Sequence, residues 1–458
     1  MLKKVGEREI TENGAVIRIG DSEFPSPFKS GLEYASPARG TWNIVHTGML
    51  IPEAHEIFVC AASCLRGVVL TAAEMNAMDR FSTVEIKENN LLEGNLEELL
   101  IEGVSDIIGK LPEKPPAILV YTSCVHHFTG CDWRVMFDSL RDRFPDIDFV
   151  DCYMNPTLRK SGLTPDQTMR RQLYALLKPR EINKKAVAII GNDLPTSEGS
   201  EIIGILKGHG MKIHEITSCR SYNEYQEMAE SSLYISYYPA AKAGGKELEK
   251  RLGGKHLYLT YSWDYNEITG MLNLLEETLY SLEDSVSNGI ISETDYEKKI
   301  ALCEEEFGKT LEITRDIPIA IDYTFCQRPT SVAKALLEHG FNVKRLYLDG
   351  FIDEEKADYV YLKENYPDLM IYATVNVKSR FMASGEKKSG EKWLALGQKA
   401  AYFLNTDYFV NVVEGGGMFG FEAIIDTLEL MRDAVANKKD MRGLVQIKGM
   451  GCGCCGEG

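Results

Sequence analysis

The alternation of apolar and polar positions divides the chain into repeated strand and helix segments. KKAVAIIGND (184–193) is a short β-branched run that ends in Gly191 and Asn192. SEGSEIIGILKGHGMKI then places its apolar residues at helical spacing and stops at Gly208 to Gly210, after which KIHEITS reads as a second strand. The pattern continues with a helix over YNEYQEMAES, a strand SLYISYYP, a helix GGKELEKRLGG and a strand HLYLTYS. Unbroken apolar strands alternating with amphipathic helices predict a parallel sheet covered on both faces.

The same pattern recurs on either side. Upstream, PPAILVYTSC (115–124) predicts a strand, WRVMFDSLRDRF a helix and DIDFVDCYMNP (146–156) the next strand. Downstream, IPIAIDYT (317–324), SVAKALLEHGF, NVKRLYLDG, DLMIYATVN and TDYFVNVV repeat the alternation. A long segment rich in Leu and Glu, about 266–311, predicts one or two connecting helices. The expected class is α/β, with three Rossmann-like, doubly wound domains built on parallel sheets. Their expected bounds are 1–180, 181–275 and 313–445, with connecting helices over 276–312 and a Gly/Cys-rich tail over 446–458.

At 458 residues the chain exceeds the size at which one core keeps growing, which agrees with several domains. A net charge of −17 leaves no excess of Lys and Arg for phosphates, so nucleic acid is not an expected partner. No apolar run reaches the roughly 20 residues of a membrane span, and MLKKVGEREITENG lacks a signal-peptide core, so a cytoplasmic location away from membranes is expected. In that compartment the 11 cysteines read as buried thiols, metal ligands or redox groups rather than disulfides.

In open parallel sheets, ligands bind beyond the carboxyl ends of the strands, so cysteines there carry the most chemistry. Cys60 and Cys64 follow the apolar run EIFV, and a spacing of four puts both on one face if the loop opens into a helix. Cys124 ends a strand in YTSCVHHFTGCD, Cys131 follows it, and Cys152 stands near the end of the next strand. Soft thiolates suit iron–sulfur clusters and zinc, while a lone cysteine equally suits a small buried site in a core. Cys219, Cys303 and Cys326 read as structural.

His126 and His127 suit metal ligation or proton movement, or a polar pair facing solvent or the backbone, and His46 is read in the same way. The chain has no H-E-x-x-H, P-loop or G-x-S-x-G element, which removes the usual starting points for zincin, nucleotide hydrolase and serine hydrolase chemistry. EGGGMFGFE (414–422) is glycine-rich and opens a helix, an anion-binding arrangement that is weak evidence alone. The tail GMGCGCCGEG concentrates Cys452, Cys454 and Cys455 in four positions, for metal or redox use or as incidental thiols of a loose terminus.

Taken in order, SPARGTWNIVHTG, IFVCAASCLRG, YTSCVHHFTGCD, YMNPTLRKSGLTPD and AVAIIGND resemble the catalytic component of nitrogenase and its relatives. This is the nitrogenase component 1 superfamily, which includes the dark-operative protochlorophyllide reductases. The resemblance implies three Rossmann-like domains per subunit and a homo-oligomer, or a heterodimer or heterotetramer with a paralogous subunit. It also implies an iron–sulfur cluster, 4Fe–4S or larger and P-cluster-like, at the subunit interface. Electrons would come from an Fe-protein-like reductase, which alone uses ATP, and would pass to a small-molecule substrate.

Carried onto this chain, the resemblance assigns Cys64, with Cys60 beside it, and Cys124 as metal ligands. Cys131, Cys152, Cys452, Cys454 and Cys455 are further candidates. Arg39, Arg66, His126 and His127 would stand near the cluster or substrate, and the two arginines read equally as surface charges. The family's first ligand has no counterpart, because YASPAR (34–39) holds no Cys. Its active-site cofactor has none either, because the matching places near Ser236 and Gly416 offer neither Cys nor His. The expected activity is therefore reduction of a substrate other than dinitrogen. A scaffold for metallocluster assembly and a tetrapyrrole-type reductase are the alternatives.

Overall fold

The computed structural model describes residues 14–28, 38–39, 42–154, 162–283, 293–375 and 392–444. The chain gathers into two compact units, one of Tyr34–Pro195 with Met211–Tyr258, the other of Met1–Glu33, Thr196–Gly210 and Leu259–Gly458. The doubly wound α/β class expected from the sequence is what the chain adopts.

Two sheets lie in the first unit. β1 (His55–Ala61), β2 (Phe81–Ile86), β3 (Ala117–Ser123) and β4 (Asp148–Met154) form an all-parallel sheet in the order β2-β1-β3-β4. β5 (Asn183–Ile189), β6 (Lys212–Glu215), β7 (Ser231–Ser236) and β8 (Lys255–Tyr258) form a second parallel sheet in the order β8-β7-β5-β6. The strands read as continuous apolar runs because both faces are covered. Ile57 and Val59 of β1 pack with Leu100, Val104, Phe137 and Leu140 of the helices Leu96–Lys110 and Trp133–Arg143. Phe58 and Cys60 point into the opposite core with Ile44, Tyr121, Leu173 and Tyr225. Each such Ile, Leu, Val or Phe contributes on the order of 1.5–3 kcal/mol when fully buried.

The other unit carries β9 (Ile319–Asp322), β10 (Val343–Tyr347), β11 (Met370–Tyr372), β12 (Leu394–Leu396) and β13 (Phe409–Val410), parallel in the order β11-β10-β9-β12-β13. Val16–Arg18 joins the outer edge of β11 antiparallel. The charged segment expected as connecting helices forms two, Tyr265–Glu283 and Glu293–Thr314. The second lies along the helix Gly420–Ala436, where the Thr310 hydroxyl donates to the Leu428 carbonyl at 3.4 Å. No helix among the described residues is long and apolar enough to cross a membrane.

Candidate metal centre

The order β2-β1-β3-β4 fixes where a site forms in the first sheet. The chain leaves β1 toward one edge to make β2, then returns to the other side for β3, so connections leave the carboxyl ends of β1 and β3 in opposite directions. A crevice opens at such a switch point. β1 runs into the helix Ala62–Glu74, with Cys64 in its first turn, and β3 runs into the helix Cys124–Thr129, whose first residue is Cys124. Two cysteines thus stand in first turns, where backbone N–H groups lack helical carbonyl partners.

The three principal thiols differ in setting. Cys64 is exposed and Cys124 half-buried, while Cys60 is fully buried in the core beneath them. Burial pushes the Cys124 thiol above its ordinary value and nearby Cys64 adds to this, while the backbone N–H groups of Cys124 and Val125 work against it. Burial pushes the Cys60 thiol up much further, with smaller contributions from Cys64 and Cys124, so all three lie within electrostatic range of one another. The sequence expectation that Cys60 and Cys64 share a helix face is not met. The helix begins at Ala62, which leaves Cys60 on β1 with its side chain set by the strand.

Among the described residues, no three His, Cys, Asp or Glu side chains converge to hold one metal ion. A single ion needs such convergence, whereas a cluster takes its thiolates on separate irons. Cys64 and Cys124 on neighbouring helix starts suit the second arrangement.

The other candidates are spread around this pair. Cys131 is half-buried, with its Sγ 3.3 Å from the Thr129 hydroxyl and its N–H donating to the His126 carbonyl. Cys152 lies in the core on β4, and burial pushes its thiol well up. His126 is fully buried, its Nδ1 accepts the Ser123 N–H at 3.2 Å, and burial lowers its pKa to about 4. His127 is exposed, with its ring centroid 5.7 Å from that of Tyr153. Arg66 is exposed and makes no ion pair or hydrogen bond among the described residues, and Arg39 belongs to a short strand paired with Trp42–Asn43. Cys452, Cys454 and Cys455 lie outside the described residues.

Ser236 is buried at the end of β7, with its Oγ 2.8 Å from His256 Nε2. In the other unit, Gly416 belongs to a left-handed turn in which Glu414, Gly415, Gly416 and Gly417 have φ of 55°, 74°, 61° and 75°. The helix Gly420–Ala436 starts three residues beyond that turn.

A second built feature was not legible in the sequence. At the switch point between β5 and β7, Arg170 is fully buried and forms a bidentate pair with Asp193, with an N–H also donating to the Gly191 carbonyl at 3.0 Å. Its Nε donates to Asp166 at 3.1 Å, and its guanidinium lies 4.7 Å from the Tyr238 ring centroid. His46 Nδ1 is 4.0 Å from Asp193. Asp193 in GND reads only as a strand-end turn residue, and Arg170 in a charged helix reads as a surface group.

Comparison with known proteins places this fold in a wider group. The family model of nitrogenase component 1 type oxidoreductases matches residues 45–344. The chain is similar to the solved structure described as "Nitrogenase Cp1 at pH 6.5", with 13% identity, TM-score 0.62 and 95% of each chain covered. It is also similar to "Nitrogenase Cp1 at pH 5", with 12% identity, TM-score 0.54 and coverage of 92% of this chain and 94% of that one. At these identities the likeness speaks for the fold. Comparison with curated proteins finds no match.

Proposed function

The chain belongs to the nitrogenase component 1 type oxidoreductases, and on that premise we propose that it is the electron-accepting subunit of a nitrogenase-like reductase. Cys64 and Cys124 are its iron–sulfur ligands, with Cys60 directly beneath them. The observation that carries the reading is the placing of two accessible cysteines on neighbouring helix starts at one switch point. When bound there, a 4Fe–4S or larger cluster supplies one-electron steps at low potential.

The chain's own residues have definable parts. The N–H groups of Cys124 and Val125 favour the Cys124 thiolate, and the apolar floor of Phe58, Cys60 and Tyr121 keeps water from the inner side. Arg66 offers a positive charge, unpaired among the described residues, two residues from Cys64, suited to a reduced, more negative cluster or an anionic substrate. Two accessible thiolates are too few for a cluster, so a second copy or a paralogous chain supplies the others. Two large apolar side chains in the segments that follow β2 and β3 support this, for Leu92 is 86% and Phe128 83% exposed. A separate ATP-dependent reductase delivers the electrons, and the substrate is a small molecule.

The test is anaerobic reconstitution with iron and sulfide, followed by titration with a low-potential reductant. Reversible bleaching of the visible absorption supports an electron-transfer role. A cluster that leaves for an added apo-acceptor protein instead of cycling would favour the scaffold reading.

A further inference from the structure

His126 is a buried histidine two residues beyond Cys124 whose hydrogen bonding is incomplete among the described residues. The helix Cys124–Thr129 has only six residues, so little of its own hydrogen bonding fixes its start. Its first turn is closed by a reciprocal cap in which the Ser123 N–H donates to His126 Nδ1 at 3.2 Å and the Ser123 side chain faces the N–H of residue 126. Because Nδ1 accepts a hydrogen bond, the neutral ring carries its proton on Nε2, and Nε2 is buried with no partner among the described residues. Leaving such a donor unpaired is destabilising. A Gln at this position makes the same cap with a flexible amide, so capping alone gives no reason for an imidazole. The ring instead fills space, with its centroid 6.3 Å from that of Trp133, and wedges the first turn against the helix Trp133–Arg143.

We propose that His126 is a positioning residue for Cys124. By fixing the Ser123 amide and packing on Trp133, it sets the direction in which Cys124 and the N–H groups of Cys124 and Val125 face the crevice. The inference rests on the reading of Cys124 as a cluster ligand, and it concerns how that ligand is aimed rather than whether it binds.

The experiment compares His126→Leu, which keeps the bulk and loses the acceptor, with His126→Gln, which keeps an acceptor within reach of the Ser123 N–H. Amide exchange at Ser123 is measured without iron, and iron release to a chelator and the midpoint potential after reconstitution with iron and sulfide. In His126→Leu the Ser123 amide is expected to exchange faster, iron to leave about tenfold faster and the potential to shift. In His126→Gln exchange is expected at the wild-type rate, with iron release between the two. A His126→Leu protein with wild-type exchange, iron release and potential would overturn the inference. A wild-type protein that takes up no iron would instead overturn the functional reading on which it rests.

Discussion

Glu56 shows what single residues contribute beyond the metal centre. It is fully buried at the start of β1 beside the Tyr121 hydroxyl, which offsets only a small part of the effect of burial. Gly48 leaves it room, because a Cβ there would collide with the Glu56 carboxyl and the Tyr121 hydroxyl. Arg80 lies close enough to oppose the effect of burial, but its guanidinium is committed to the carbonyls of Ile51 at 2.6 Å and Ala54 at 2.8 Å. Burial therefore dominates and raises the Glu56 carboxyl well above its ordinary value. The native state keeps a proton that the unfolded chain releases above about pH 4.5, so stability falls as pH rises from there toward the folded-state value. Glu56→Gln keeps the neutral shape and removes the titration. Urea unfolding between pH 5 and 8 should show wild type losing stability relative to this variant, and parallel curves would contradict the assignment.

At the scale of elements, the strand ends do the organising. Arg170 ties the Gly191–Asp193 loop to its neighbouring helix, and Gly191 has φ of 94° with Ala241 packed where a Cβ would stand. Arg170→Ala removes the buried guanidinium that the half-buried Asp193 and Asp166 share, and the expected loss is about 3–5 kcal/mol in chemical denaturation. A change near zero would mean that solvent reaches the loop freely. The sequence made the strands and most helices legible because both faces of each sheet are buried, and PPAILVYTSC and KKAVAIIGND show this as unbroken apolar runs. It pointed to Cys64 and Cys124 through their place after such runs. It did not show Cys60 falling on the strand side of the β1 end, because a two-residue change in where a helix begins decides that. The antiparallel Val16–Arg18 and the buried Arg170 were illegible for another reason. Their partners lie some 350 and 20 positions away, and local pattern carries no record of them.

At the scale of the molecule, the account requires a second chain over the carboxyl edge of the first sheet. Leu92 and Phe128 are the most exposed apolar groups in the segments after β2 and β3, and the account predicts by analytical ultracentrifugation an oligomer for wild type and a monomer for the double variant Leu92→Asp, Phe128→Asp, while the fold persists by circular dichroism. An oligomer of unchanged size would place the interface elsewhere. The central claim is that Cys64 and Cys124 hold iron and sulfide. It is tested most directly by iron and acid-labile sulfide content with low-temperature EPR on anaerobically purified protein, beside Cys64→Ala, Cys124→Ala and Cys152→Ala. The account predicts iron and sulfide in near-equal amounts in wild type and Cys152→Ala, with their collapse in the other two. Iron-free wild-type protein, or full cluster content in both Cys64→Ala and Cys124→Ala, would contradict it.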